Sequence, residues 1–141
     1  MKTVRIHDKV LEKMVEHARR EYPLECCGLL SGNGWEIDGI RATENKRQSR
    51  EEFFVPVEEL FAFFRGLRRS GKKHLGIYHS HPTSGSLPSS RDVAEFHYSE
   101  VTYWIISLKG EVPDVRCFRW KKRDLKSVAF EVYGSPLNGA D

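Results

Sequence analysis

His79-Ser80-His81-Pro82-Thr83-Ser84-Gly85-Ser86-Leu87-Pro88-Ser89-Ser90-Arg91-Asp92 is the stretch on which the reading of this chain turns. The apolar run Leu75-Gly76-Ile77-Tyr78 before it reads as a buried strand leading into it. In an extended strand, side chains at i and i+2 point the same way. His79 and His81 therefore share a face and can hold one metal ion between them. Pro82 cannot donate a ladder hydrogen bond and ends the strand. A turn-rich crossing then delivers Ser89 and, three residues on, Asp92.

Working outward, the chain has 141 residues, enough for one domain with a real core. Its 39% hydrophobic and 30% charged residues are ordinary for a globular protein. No apolar run reaches the roughly 18 residues of a transmembrane helix. Met1-Lys2-Thr3-Val4-Arg5-Ile6 lacks the long apolar region of a secretory signal. Cys26, Cys27 and Cys117 are odd in number and two are adjacent, a poor disulfide framework that suits a reducing compartment. A cytoplasmic protein without membrane association is expected. A formal charge of +3, with basic residues interleaved among acids, gives no argument for nucleic acid.

In chain order, Val4-Arg5-Ile6 predicts a first strand, with Asp8 as N-cap of a helix running to about Arg20. Glu25 heads a short apolar strand through Gly32, and a turn at Gly32-Asn33-Gly34 leads to a second strand near Trp35–Ala42. Glu44–Glu52 reads as an exposed loop and Phe53-Phe54-Val55 as an extended piece. Pro56 can open a helix whose apolar face is Val57, Leu60, Phe61, Phe64 and Leu67, closed by Gly71. After the histidine strand, Ser89–Tyr98 fits a short helix with Val93, Ala94 and Phe96 or His97 inward. Val101–Ser107 reads as a central strand, and Asp114–Trp120 and Ser127–Tyr133 as two more. One domain over residues 1–133 with a flexible tail over 134–141 is expected.

Two nitrogens and an oxygen from His79, His81 and Asp92 suit Zn²⁺ and leave a fourth position open, as in catalytic rather than structural zinc sites. The plainer alternative is that the histidines hold no metal and that Ser89-x-x-Asp92 is only a capping box. Ser89 can cap and still present its hydroxyl. One Asp92 oxygen, however, cannot serve both a metal and the Ser89 backbone. Hydrolysis by a metal-activated water also needs a proton carrier. Glu25 is the candidate, although the residues alone leave it equal to a surface acid at a strand end, with Glu21 and Glu44 as rivals. Cys26 and Cys27 read as strand packing or, alternatively, as a reactive thiol. Alternation puts one of them on the side of Glu25. Arg65, Arg68, Arg69, Lys72 and Lys73 read as a solvated helix end, and Trp35, Trp104 and Trp120 as core or strand-face residues.

Glu25, His79-Ser80-His81-Pro82 and Ser89-Ser90-Arg91-Asp92 together resemble the JAMM (MPN+) metalloprotease motif: a Glu, a distant His-x-His-Pro, then Ser-x-x-Asp. Pro23–Gly32, Glu44-Asn45 and Phe54-Val55-Pro56 resemble further landmarks of that family, and the similarity spans about residues 3–120. The resemblance implies an α/β single domain with a curved mixed β-sheet flanked by helices, of the JAMM/MPN, cytidine-deaminase-like kind. It implies one Zn²⁺ per chain on His79, His81 and Asp92, with Glu25 as general acid/base and Ser89 as donor to the oxyanion. The family cuts peptide or isopeptide bonds, often beside the C-terminal glycine of ubiquitin or a ubiquitin-like protein. This compact chain resembles the small stand-alone prokaryotic members. Some of those process ubiquitin-like sulfur carriers, trimming residues beyond a C-terminal Gly-Gly or releasing a thiocarboxylate-derived amino acid. Two other classes compete with this reading. One is a catalytically silent MPN-type binding module, whose known examples lack ligands that this chain has. The other is a nucleobase deaminase, which would need His-x-Glu and Pro-Cys-x-x-Cys, and neither occurs here.

Overall fold

The computed structural model describes residues 3–44, 57–90, 92 and 100–134. Strand β1 (Val4–His7) passes directly into helix α1 (Asp8–Glu21). The helix forms because Val10, Met14 and Ala18 recur on one side and are buried there, with His17 among them. Its N-cap is His7 rather than the expected Asp8: the His7 imidazole accepts the Lys9 amide at 3.1 Å, and Asp8 becomes the first helical residue. Asp8 still favours the positive end of the helix from there.

The hairpin β2 (Cys27–Asn33) and β3 (Glu36–Thr43) follows, turning at Gly34 with φ +60°. Helix α2 (Val57–Ser70) stops at Gly71, whose φ of +71° a side chain would resist. Strand β4 (Lys73–His81) carries both histidines. Strands β5 (Thr102–Ser107), β6 (Asp114–Lys121), β7 (Asp124–Val128) and β8 (Phe130–Tyr133) complete the described elements. The expected loop and extended piece over 45–55 lie outside the described residues, as do Pro56, the inward residues of the helix after Ser89, and the tail after Gly134.

One eight-stranded mixed sheet results, in the order β7-β6-β5-β4-β2-β3-β1-β8. The single strand expected over Ser127–Tyr133 is in fact two, β7 and β8, at opposite edges of the sheet. Only Ala129 separates them, and two Cα steps reach no more than about 7 Å. The sheet must therefore curl until its edges meet. Contacts across the curl agree: Trp104 of β5 meets Phe130 of β8 at 4.7 Å between ring centroids, and the Arg119 guanidinium of β6 lies 4.2 Å above the Trp35 ring.

The two faces bury separate cores. On one, α1 packs with Val4, Ile6, Leu30, Ile37, Tyr78, Trp104 and Ile106. On the other, Phe63, Leu60 and Leu67 of α2 pack over Leu29, Ile77, Tyr103, Ile105 and Phe118. The basic cluster begins inside α2, where Arg65, Arg68 and Arg69 are exposed at its solvated end as expected, and Lys72 beyond it pairs with Asp38 at 2.9 Å.

Gly28 is the point where β2 must come close to β4. It pairs with Tyr78, and a Cβ at Gly28 would lie 2.2 Å from the Tyr78 ring. That ring is fully buried, and its hydroxyl is held by His17 Nδ1 at 2.7 Å. Burial lowers the His17 pKa, with the Arg20 charge adding to the effect, so this bond is made by a neutral imidazole. The ring has nowhere to move. Gly28→Ala is therefore expected to lower stability by about 1–3 kcal/mol, the usual cost of overpacking, read as a lower urea midpoint with an unchanged slope.

Candidate functional site

Strand β4 fixes the first two donors. His79 and His81 alternate with Ser80 and so point to the α2 face, at the end where Pro82 terminates the strand. Their Nε2 atoms lie 3.2 Å apart. Asp92 closes the group: its Oδ1 is 3.2 Å from His79 Nε2 and its Oδ2 is 3.0 Å from His81 Nε2. All three residues are buried. Among the described residues this is the group of His, Cys, Asp or Glu side chains that can hold a metal ion.

The spacing fits an ion. Donors at about 2.0–2.1 Å from a tetrahedral zinc stand ~3.3 Å from one another, close to the separations observed. The chemistry fits as well. His81 Nδ1 lies 2.7 Å from the Gly85 carbonyl, which can only accept. Nδ1 therefore carries a proton, and Nε2 is the nitrogen turned toward Asp92 and left for a metal. Burial alone would lower the His81 pKa, but the Asp92 carboxylate and the Gly85 carbonyl outweigh it and raise it, with a smaller contribution from Glu25. Burial would likewise raise the Asp92 pKa. Hydrogen bonds from His79, His81 and the Ser89 amide reverse this and hold the carboxyl well below the usual range.

The capping box and the metal group coexist because a carboxylate has two oxygens. Asp92 Oδ2 accepts the Ser89 amide at 2.8 Å, and Ser89 Oγ accepts the Asp92 amide at 3.1 Å. Oδ1 takes no part in the cap and faces His79. A hydroxyl that accepts from an amide still has its own proton to give, and Ser89 is exposed at the mouth of the site.

Glu25 reaches this group through strand register. Strand β2 begins at Cys27, two residues later than expected, and Cys27 pairs with His79 in antiparallel fashion. The chain before Cys27 runs on toward His81, and the Glu25 charge is close enough to contribute to the raised His81 pKa. Two bonds extend the pairing: the Ser80 amide donates to the Cys26 carbonyl at 3.1 Å, and the Cys26 amide donates to Ser80 Oγ at 2.8 Å. Glu25 is buried, with 5% of its surface exposed. The rival Glu21 ends α1, and Glu44 is exposed with its amide on Glu59.

The cysteines are packing residues. Cys27 is the one on the Glu25 side. Thr43 donates its hydroxyl proton to the Cys27 carbonyl at 2.8 Å, so the Cys27 thiol is the donor in its 3.1 Å contact with Thr43 Oγ1. Cys26 points to the α1 core, where burial pushes its thiol up to about 12.

Sequence reading did not find the groups that hold the loop after Pro82. Ser107 Oγ donates to the Ser84 carbonyl, and Ser86 Oγ donates to Asp114 Oδ2, each at 2.5 Å. Neither Ser107 nor Asp114 lies near the motif in sequence, and no local pattern marks them.

Residues 7–121 match the model of the prokaryotic homologs of the JAB domain, and the chain belongs to that family. It is 33% identical over 102 residues to a protein of Thermus thermophilus named a probable TtuB-protein conjugate cleaving protease, covering 72% of this chain and 68% of that one. It is 27% identical over 135 residues to the CysO-cysteine peptidase of Mycobacterium tuberculosis, covering 94% of this chain and 88% of that one. The fold is similar to the solution structure of a Desulfitobacterium hafniense protein, with a TM-score of 0.86, 28% identity and 99% of each chain covered.

Proposed function

We propose that this chain is a zinc-dependent peptidase that hydrolyses a peptide or isopeptide bond at the C-terminus of a ubiquitin-like sulfur-carrier protein. The observation that carries the reading is the convergence of three donor side chains within 3.2 Å of one another, with the buried Glu25 carboxylate brought within electrostatic reach by the β2–β4 register. His79, His81 and Asp92 would hold Zn²⁺, which supplies a water of lowered pKa and a positive charge beside the scissile carbonyl. Glu25 takes the proton of the attacking water and returns it to the leaving amine. Ser89 Oγ–H donates to the oxyanion as the carbonyl becomes tetrahedral. Holding the Asp92 amide on Ser89 Oγ fixes where that donor sits.

The substrate class is supported by the two curated relatives, one named a probable TtuB-protein conjugate cleaving protease and the other a CysO-cysteine peptidase. A silent binding module on this fold is the rival. It has no need of a complete donor set with a buried acid close by. The test is to incubate zinc-loaded protein with each ubiquitin-like sulfur carrier of the same genome, as precursor and as conjugate, and to follow intact mass. Cleavage after a C-terminal Gly-Gly, abolished by a chelator and restored by zinc, is the expected result. Tight binding of a carrier whose mass never changes would favour the silent module.

A further inference from the structure

The register places a row of polar side chains across adjacent strands. His81 of β4 pairs with Ser107 of β5, and Ser107 pairs with Asp114 of β6. Paired residues of neighbouring strands point to the same face, so the row runs beneath the loop that follows Pro82. Three consecutive residues of that loop are each fastened to one member of the row. The Ser84 carbonyl accepts from Ser107 Oγ at 2.5 Å, the Gly85 carbonyl meets His81 Nδ1 at 2.7 Å, and Ser86 Oγ donates to Asp114 Oδ2 at 2.5 Å. Ser86 and Ser107 are buried at these contacts, whereas the Asp114 side chain is 58% exposed.

We propose that Ser107 and Asp114 are positioning residues of the metal centre, clamping the loop on both sides of Gly85 so that its carbonyl holds His81 as the Nδ1–H tautomer. The middle bond is the one with chemical consequence. A neutral imidazole has a single N–H, and whichever nitrogen carries it cannot bind a metal. The Gly85 carbonyl takes Nδ1 and leaves Nε2 as the nitrogen that faces the other two donors. A carbonyl at a glycine has no side chain to hold it in place. Its aim is set by its two neighbours, and each of these is tied to a different strand. Ser107 does so from a buried position, where its oxygen also accepts the Lys109 amide at 3.3 Å. Asp114 does so from the surface, where it also meets Arg116 at 3.5 Å. Neither residue is itself one of the three donors. Both act through the loop.

The proposal concerns the imidazole itself and is read first in metal-free protein. Its second readout rests on the zinc reading above. Full-length protein labelled with ¹⁵N is examined by histidine-ring NMR without metal, then titrated with Zn²⁺ alone against a competing chelator. Wild type is expected to show a protected His81 Nδ1–H. In Ser107→Ala and Asp114→Ala that signal should weaken through faster exchange with water, and zinc affinity should fall about tenfold, the lower end of what losing a supporting group costs a metal site. Asp114→Asn keeps an acceptor for Ser86 and should behave as wild type. Asp114 variants alter an exposed side chain and keep the comparison sound even if Ser107→Ala unfolds. An unchanged His81 Nδ1–H in the alanine variants, or an equal loss in Asp114→Asn, overturns the proposal. Should wild type take up no zinc, the metal reading fails, and the ring signal still decides the role of Ser107 and Asp114.

Discussion

Asp92→Ala is expected to leave the protein without zinc and without hydrolytic activity, where wild type is expected to carry one ion per chain. The carboxylate stands between two imidazole nitrogens, 3.2 Å from one and 3.0 Å from the other. Its removal takes away the one anionic donor and leaves two neutral nitrogens whose hold on a divalent ion is far weaker. Elemental analysis of freshly purified protein reads the metal content directly. The same substitution also frees the Ser89 amide, so a helix cap is lost, at a cost of about 0.5–2 kcal/mol. Asp92→Asn separates the two effects. Its amide oxygen can still cap Ser89, so stability should stay near wild type while zinc is lost. His79→Ala should match Asp92→Ala in metal content and leave the cap intact. Stoichiometric zinc in Asp92→Ala would remove the carboxylate from the ligand set.

Glu25→Gln is expected to keep zinc near one per chain and to lower kcat by about 10²–10⁴-fold, the usual contribution of a positioned acid or base. The change preserves size and hydrogen-bonding atoms but removes the ability to take a proton. Glu25 is not among the three converging donors, so metal content should not follow activity here. KM should change little, because the proton moves in the transition state rather than in the bound ground state. Single-turnover cleavage of a carrier conjugate, with zinc measured on the same sample, gives both numbers. Full activity in Glu25→Gln would send the search for the base to another acid, and neither Glu21, at the end of α1, nor the exposed Glu44 is buried as Glu25 is.

Much of this was legible from local pattern. The strand period of two put His79 and His81 on one face, and helical spacing marked the buried side of α1. Glycine and proline marked where α2 and β4 stop. The His7 cap was missed because an imidazole is a less common cap than the neighbouring carboxylate, and Asp8 matched the stronger preference. The split of β7 from β8 was missed because residues 127–133 form one continuous run whose alternation does not reveal a change of partner. Only the curl of the sheet, which brings both edges to Ala129, divides it.

By itself the sequence determined the donors and their types: two imidazoles on one strand face and a carboxylate three residues beyond a serine. Those facts depend on backbone geometry within a few residues, which local chemistry sets. The tertiary structure alone decided what faces them. Glu25 is buried within electrostatic reach of His81 because β2 and β4 pair up to Cys27 and His79, a register that Gly28 permits by leaving room for the Tyr78 ring. The Gly85 carbonyl is on His81 because Ser107 and Asp114 arrive on two further strands. Strand pairing joins residues distant along the chain, and its register is settled by the packing of whole faces, which no short stretch records.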